Sequence, residues 1–269
     1  MQDENTLCKT WEEGFCKTNE IITHYTRTGG NKPPMVLLHG LAANGMCWKN
    51  IARSLADKFD VIMPDARGHG KSSAPGGGYT YENLADDAIG FLLAMNLSDV
   101  ILIGHSMGGL TAALAACRSP LIRAAILAEP TFLSSERQWQ VWKSNILAQH
   151  KKMLAMSLTE LIADRQKAHP GRSGELNAMS ATARLQTSIN AFEILKPPNP
   201  AYKSVVKGIK CPCLLLYGDR GIIDAEQANE LHEINSLLKI VEIQNAGHGI
   251  YFDSPKQFVD GIVQFTGCL

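Results

Sequence analysis

The stretch VILIGHSMGGLTAALAAC, Val100–Cys117, passes from an unbroken apolar run through Gly104-His105-Ser106-Met107-Gly108 into a small-residue segment whose helix begins at Met107. A chain that turns from buried strand to helix in so few residues needs glycine on both sides of the corner, because only glycine lets neighbouring backbones pass that close. Ser106 would then stand alone above a sheet, in the G-x-S-x-G context of an activated nucleophile. A serine hydroxyl is a weak nucleophile near neutrality, so a positioned base must take its proton during attack.

Working outward, five further short runs repeat the pattern of a buried strand ending at Gly, Asp, Glu or His. They are MVLLHG (Met35–Gly40), DVIMPD (Asp60–Asp65), AAILAEP (Ala124–Pro130), CLLLYGD (Cys213–Asp219) and KIVEIQNAGH (Lys239–His248). Runs this apolar on both pleat faces fit strands covered on both sides by crossover helices, and hence a mainly parallel sheet. Tyr81–Met95, Gly109–Cys117, Gln227–Ile234 and Pro255–Phe265 carry apolar residues at helical spacing and supply those helices. The fold class is therefore α/β, doubly wound.

Residues 131–207 break the alternation. They have helical periodicity and the punctuation of Pro197, Pro198 and Pro200, but no convincing buried strand, so they read as a helical cap. The expected division is a core of residues 1–130 and 208–269 with a cap of residues 131–207.

The base is sought at the same carboxyl edge of the sheet. His248, in NAGHGIYFDSP after the last strand, meets that requirement. His39 and His105 read as structural neighbours of motifs, His69 lies in the turn DARGHG, and His24, His150, His169 and His232 read as peripheral. Their spacing supports no metal site. His39-Gly40-Leu41, at the end of the Met35 strand, places a backbone N–H at Leu41 to pair with that of Met107 as an oxyanion hole.

Four motifs together, LLHG (Leu37–Gly40), DARGHGKS (Asp65–Ser72), GHSMGG (Gly104–Gly109) and AGH (Ala246–His248), resemble those of the α/β-hydrolase superfamily. The resemblance covers nearly the whole chain outside the cap. It implies a mostly parallel eight-stranded sheet, a serine–acid–histidine triad in that chain order, and a cap inserted after strand six. It does not fix the substrate.

The acid departs from the pattern. Relatives place it after strand seven as G-x-x-D, whereas Gly218-Asp219-Arg220-Gly221 puts glycine at that position. Asp224 opens Asp224-Ala225-Glu226-Gln227 as a helix N-cap, and Asp219 lies close to the usual position. Glu129 ends the strand before the cap, where an ionised group at a buried strand needs an answering partner such as an imidazolium. Strands five, six and seven are neighbours in this fold, and haloalkane dehalogenases and zearalenone lactonases are similar in taking the acid from strand six. Glu129 is preferred, with Asp219 as the alternative.

Phe132, Trp139, Trp142, Met153, Met156 and Phe192 in the cap suggest an apolar pocket above Ser106, with Trp139 and Trp142 as substrate-binding residues. The function expected is hydrolysis of an uncharged, moderately hydrophobic carboxylic ester or lactone through an acyl-enzyme. A carbon–carbon bond hydrolase of ring-fission products and a non-enzymatic small-ligand sensor are the alternatives. Dehalogenase and epoxide hydrolase chemistry is disfavoured, because those enzymes use aspartate where Ser106 stands. No cofactor or metal is required.

The chain has 269 residues, 45% of them hydrophobic, enough for one large core with an insertion. Lys plus Arg and Asp plus Glu are equal at 26 each, so no basic field points to nucleic acid. The seven cysteines are scattered without disulfide or zinc spacing. The apolar runs fall far below the roughly 20 residues of a membrane span. The polar, acid-rich start MQDENTLCKTWEEGFC lacks the features of a secretory signal, so a cytoplasmic monomer or homodimer acting on a small molecule is expected.

Overall fold

The computed structural model describes residues 11–269; residues 1–10, which carry Cys8 and most of the start read for a signal, lie outside the described residues. The sheet has eight strands: β1 (Glu12–Thr18), β2 (Ile21–Arg27), β3 (Pro34–Leu38), β4 (Asp60–Pro64), β5 (Val100–His105), β6 (Ile122–Ala128), β7 (Cys213–Arg220) and β8 (Leu238–Gly247). Their spatial order is β1-β2-β4-β3-β5-β6-β7-β8. β1–β2 and β2–β4 pair antiparallel, and every pairing from β4 onward is parallel.

The apolar runs are two-sided, as parallel strands sandwiched by helices require. Met35 and Leu37 of β3 join the core on one face, together with Ile101 and Ile103 of β5, while Val36 and Leu102 join the core on the other. Helices α1 (Lys49–Leu55) and α11 (Pro255–Thr266) cover the first face. Helices α2 (Tyr81–Ala94), α3 (Met107–Arg118), α8 (Tyr202–Gly208) and α9 (Ala225–Ile234) cover the second. Thr80 caps α2 by accepting from the Asn83 N–H, and Asp224 caps α9 by accepting from the Gln227 N–H.

Between β6 and β7 the chain forms α4 (Ser135–Trp142), α5 (Ile146–Leu154), α6 (Leu158–Ala168) and α7 (Gly174–Leu185), then the 3-10 helix Ile189–Leu195 and α8. α6 starts with a capping box between Ser157 and Glu160. α8 straddles the expected boundary at residue 207, and its Val205 and Val206 belong to the sheet's own core. The short α10 (Ile250–Asp253) follows β8. No helix among the described residues is long and apolar enough to cross a membrane.

Candidate active site

The carboxyl ends of β3, β5, β6 and β8 deliver Leu41, Ser106, Glu129 and His248 to one edge of the sheet. Ser106 has φ 55° and ψ −116°, a left-handed conformation that a non-glycine residue adopts at a cost of about 1–3 kcal/mol. Packing holds it there: its N–H donates to the Ala128 carbonyl at 3.0 Å, and its own carbonyl accepts from the Gly109 N–H at 2.9 Å. A Cβ at Gly104 would overlap the Gly108 backbone, and one at Gly108 would overlap the Leu38 carbonyl. Those overlaps are the physical reason for glycine two residues before and after Ser106.

His248 Nε2 lies 2.9 Å from Ser106 Oγ, and His248 Nδ1 lies 3.1 Å from Glu129 Oε2. Glu129 is fully buried, with a backbone φ of 46°. Its carboxylate accepts from the N–H groups of Gly218 at 2.9 Å and Ile222 at 2.8 Å besides facing the imidazole. A buried carboxylate so supplied is stabilised by directed hydrogen bonds and is fixed in orientation.

The glycine at the superfamily's acid position now has an explanation. A Cβ at Gly221 would overlap Oε1 of Glu129, so the carboxylate of the strand-six acid occupies space that a side chain on Gly221 would need. Asp219, the alternative acid, is turned elsewhere: its Oδ1 accepts from the Ala246 N–H at 2.9 Å and lies 3.7 Å from Arg220 Nε. The Ala246 and Asn245 N–H groups hold its pKa below the usual aspartate value.

The turn that carries Leu41 is clamped by two histidines. His39 Nδ1–H donates to the Gly40 carbonyl at 2.8 Å while its Nε2 accepts from the Ala66 N–H at 2.9 Å. His69 Nδ1–H donates to the Arg67 carbonyl at 2.8 Å while its Nε2 accepts from the Ala42 N–H at 3.2 Å. Each arrangement needs one donor and one acceptor nitrogen, hence a neutral ring. Burial favours that form, lowering the pKa of His39 and pushing that of His69 down to about 3. A Cβ at Gly40 would lie 3.1 Å from Ser106 Cβ, so this turn runs against the serine. Among the described residues, the N–H groups of Leu41 and Met107 donate to no protein acceptor.

His105 is likewise buried, its pKa pushed down to about 3 by burial and then by His248, and its Nε2 lies 2.7 Å from the His248 carbonyl. Two histidines expected at the periphery are interior instead. His24 is buried with Nδ1 2.8 Å from Asp65 Oδ2, and His150 of α5 is buried, stacked on Phe192 with Nε2 3.0 Å from the Thr187 carbonyl.

The cap aromatics divide. Phe132 and Phe192 are fully interior, Phe132 stacked on Tyr202. Met153 and Met156 are half-buried. Trp139 and Trp142 on α4 are 49% and 36% exposed, and the Lys143 ammonium lies 5.6 Å from the centre of the Trp139 ring.

A sheet of this order with a serine, a histidine and a buried carboxylate converging at its carboxyl edge defines a class of hydrolytic enzyme. The chain belongs to the α/β-hydrolase fold family, whose model matches residues 33–255. It is similar to the 2-(acetamidomethylene)succinate hydrolase of Mesorhizobium japonicum, at 26% identity over 91% of both chains. It is also similar to the N-formylmaleamate deformylase of Pseudomonas putida, at 27% identity over 91% of this chain and 92% of that protein. Among solved structures, an E-2-(acetamidomethylene)succinate hydrolase superposes with a TM-score of 0.84 at 20% identity, over 96% of this chain and all of that one. An enol-lactonase from Burkholderia xenovorans superposes with a TM-score of 0.75 at 24% identity, over 94% and 100%. The protein is thus a hydrolase of this family.

Proposed function

We propose that the protein is a serine hydrolase that cleaves a carboxylic ester or lactone through an acyl-enzyme, with Ser106 as nucleophile, His248 as base and Glu129 as the acid of the triad. The observation that carries the reading is the unbroken line from the buried Glu129 carboxylate through both nitrogens of His248 to Ser106 Oγ. In the first half-reaction Oγ attacks the acyl carbon while His248 Nε2 takes its proton. Glu129 holds Nδ1–H and thereby fixes the tautomer and favours the imidazolium that forms. The N–H groups of Leu41 and Met107 receive the oxyanion, each such donor typically being worth on the order of 3 kcal/mol in the transition state. His248 returns its proton to the leaving oxygen, and a water activated by the same nitrogen releases the acid and restores Ser106.

The stretch 131–207 is assigned as the lid over this edge, with Trp139 and Trp142 forming an exposed aromatic rim that a substrate meets on entry. The apolar, uncharged character expected of the substrate has lost part of its support, since Phe132 and Phe192 are spent on packing. A second reading, hydrolysis of an acyl–nitrogen bond, is favoured by the names of the two relatives given above. Turnover of p-nitrophenyl butyrate and of an N-acetyl anilide separates the two. The proposal expects ester turnover that Ser106→Ala reduces about a million-fold; equal rates in the two proteins would refute it.

A further inference from the structure

α7 lies across the mouth of the site. Near its start, the Arg172 guanidinium bonds Asp253 at 2.8 Å and lies against Gly249, next to His248. At its far end Gln186 Oε1 accepts from Asn44 Nδ2 at 2.9 Å, and the Ser188 N–H donates to the Gly68 carbonyl at 2.7 Å, both on loops beside the Leu41 turn. Twelve helical residues span about 18 Å, so α7 roofs the carboxyl edge from the histidine loop to the oxyanion turn, with α6 packed beside it.

The inward faces of both helices carry arginine. On α7 the buried Asn177 and Ala181 lead at helical spacing to Arg184, and on α6 the buried Leu161 leads to Arg165 one turn later. The Nε of each arginine is buried without a partner, and among the described residues neither guanidinium makes an ion pair or a side-chain hydrogen bond. Of the nearby acids, Asp253 is committed to Arg172 and Glu175 to Lys49, while Asp164, next to Arg165 in sequence, acts on it through space without bonding it. Burial lowers the pKa of both arginines, and the neighbouring charge of Arg165 helps push that of Arg184 down to about 10, which leaves Arg184 cationic at neutral pH. Two adjoining, partly desolvated cations without a bonded partner are costly in a protein whose overall charge is balanced. The fork of a guanidinium matches a carboxylate in shape and charge.

We propose that Arg165 and Arg184 form a carboxylate subsite on the inner face of the cap, so that the substrate is an anionic acyl compound held there by its carboxylate while its reacting carbonyl lies at Ser106. The inference rests on the assignment of Ser106 as nucleophile, but its binding test does not. Ser106→Ala protein titrated with succinate in a calorimeter should bind it, and adding Arg165→Gln or Arg184→Gln should weaken binding about tenfold or more. Absence of succinate binding, equal binding in the double variants, or tighter binding of inorganic phosphate would overturn the subsite. In the active protein, the kcat/KM ratio of mono-p-nitrophenyl succinate over the chain-matched p-nitrophenyl butyrate should exceed one and fall about tenfold or more in Arg184→Gln, chiefly through KM. An unchanged ratio in a variant of normal melting temperature contradicts the proposal. Succinate binding without turnover of either ester would retain the subsite and reject the serine hydrolase reading.

Discussion

The edge of the sheet and the inner face of the cap treat buried charge in opposite ways. Glu129 is fully enclosed, yet its carboxylate meets two backbone N–H groups and an imidazole. Arg165 and Arg184 are only partly enclosed, yet their inner Nε atoms find no hydrogen-bond partner in the protein. A group that must hold one orientation through a reaction is tied down by the fold. A group left unanswered at the mouth of a site is matched to something that arrives from outside. On the proposed reading, the difference separates a pre-arranged catalytic half, built on rigid strand ends, from a selecting half built on helices.

The largest effect that would break this contrast lies at the acid. Glu129→Gln should lower kcat by about ten-thousandfold, as loss of a tautomer-fixing acid does elsewhere. Asp219→Asn, which weakens contacts to the Ala246 and Asn245 N–H groups and to Arg220 but none to His248, should change it less than about threefold. Equal and small effects in ester turnover would show that Glu129 does not serve His248.

A smaller effect sharpens the same point. Gly221→Ala should displace the Glu129 carboxylate and cost about a hundredfold in kcat, while Gly76→Ala, where a Cβ meets nothing within 4 Å, should leave kcat and melting temperature unaltered. A fully active Gly221→Ala protein would contradict the explanation offered for that glycine.

The smallest effect concerns stability. His69 and His105 have pKa values pushed down to about 3 in the folded chain against 6.5 in the ordinary state. Protons therefore bind the unfolded chain first, so the stability these neutral rings permit is complete above about pH 6.5 and declines as the pH falls towards 3. The melting temperature should be level near pH 7 to 8 and fall steadily from about pH 6 to 4, less steeply in His105→Asn. A level profile down to about pH 4 in both proteins would contradict the burial of neutral histidines.

That Ser106, His248 and Glu129 would converge was largely legible in the sequence because local pattern encodes their placement. β3 to β8 read as apolar runs, and the corner at Ser106 announces itself through its glycines. β1 and β2 did not read as strands: EEGFCKT lies at the sheet's edge with mostly exposed side chains, and only the family resemblance implied eight strands. Gly221 and Glu129 were two halves of one signal, glycine at the usual acid position after β7 and a carboxylate after β6, joined only once space is considered. The selecting half was hardly legible. An arginine without a partner is a three-dimensional fact, and its one trace in sequence is spacing that puts Arg165 and Arg184 on the buried faces of α6 and α7. Cap aromatics drew the reading towards an apolar pocket, whereas Phe132 and Phe192 pack the interior and Trp139 and Trp142 face outward.

Treatment with a fluorophosphonate, followed by mass spectrometry of the modified peptide, tests the central claim most directly. The account predicts one adduct, on Ser106, absent in Ser106→Ala and formed much more slowly in Glu129→Gln. A folded protein that takes no label, or takes it at a residue other than Ser106, would contradict it.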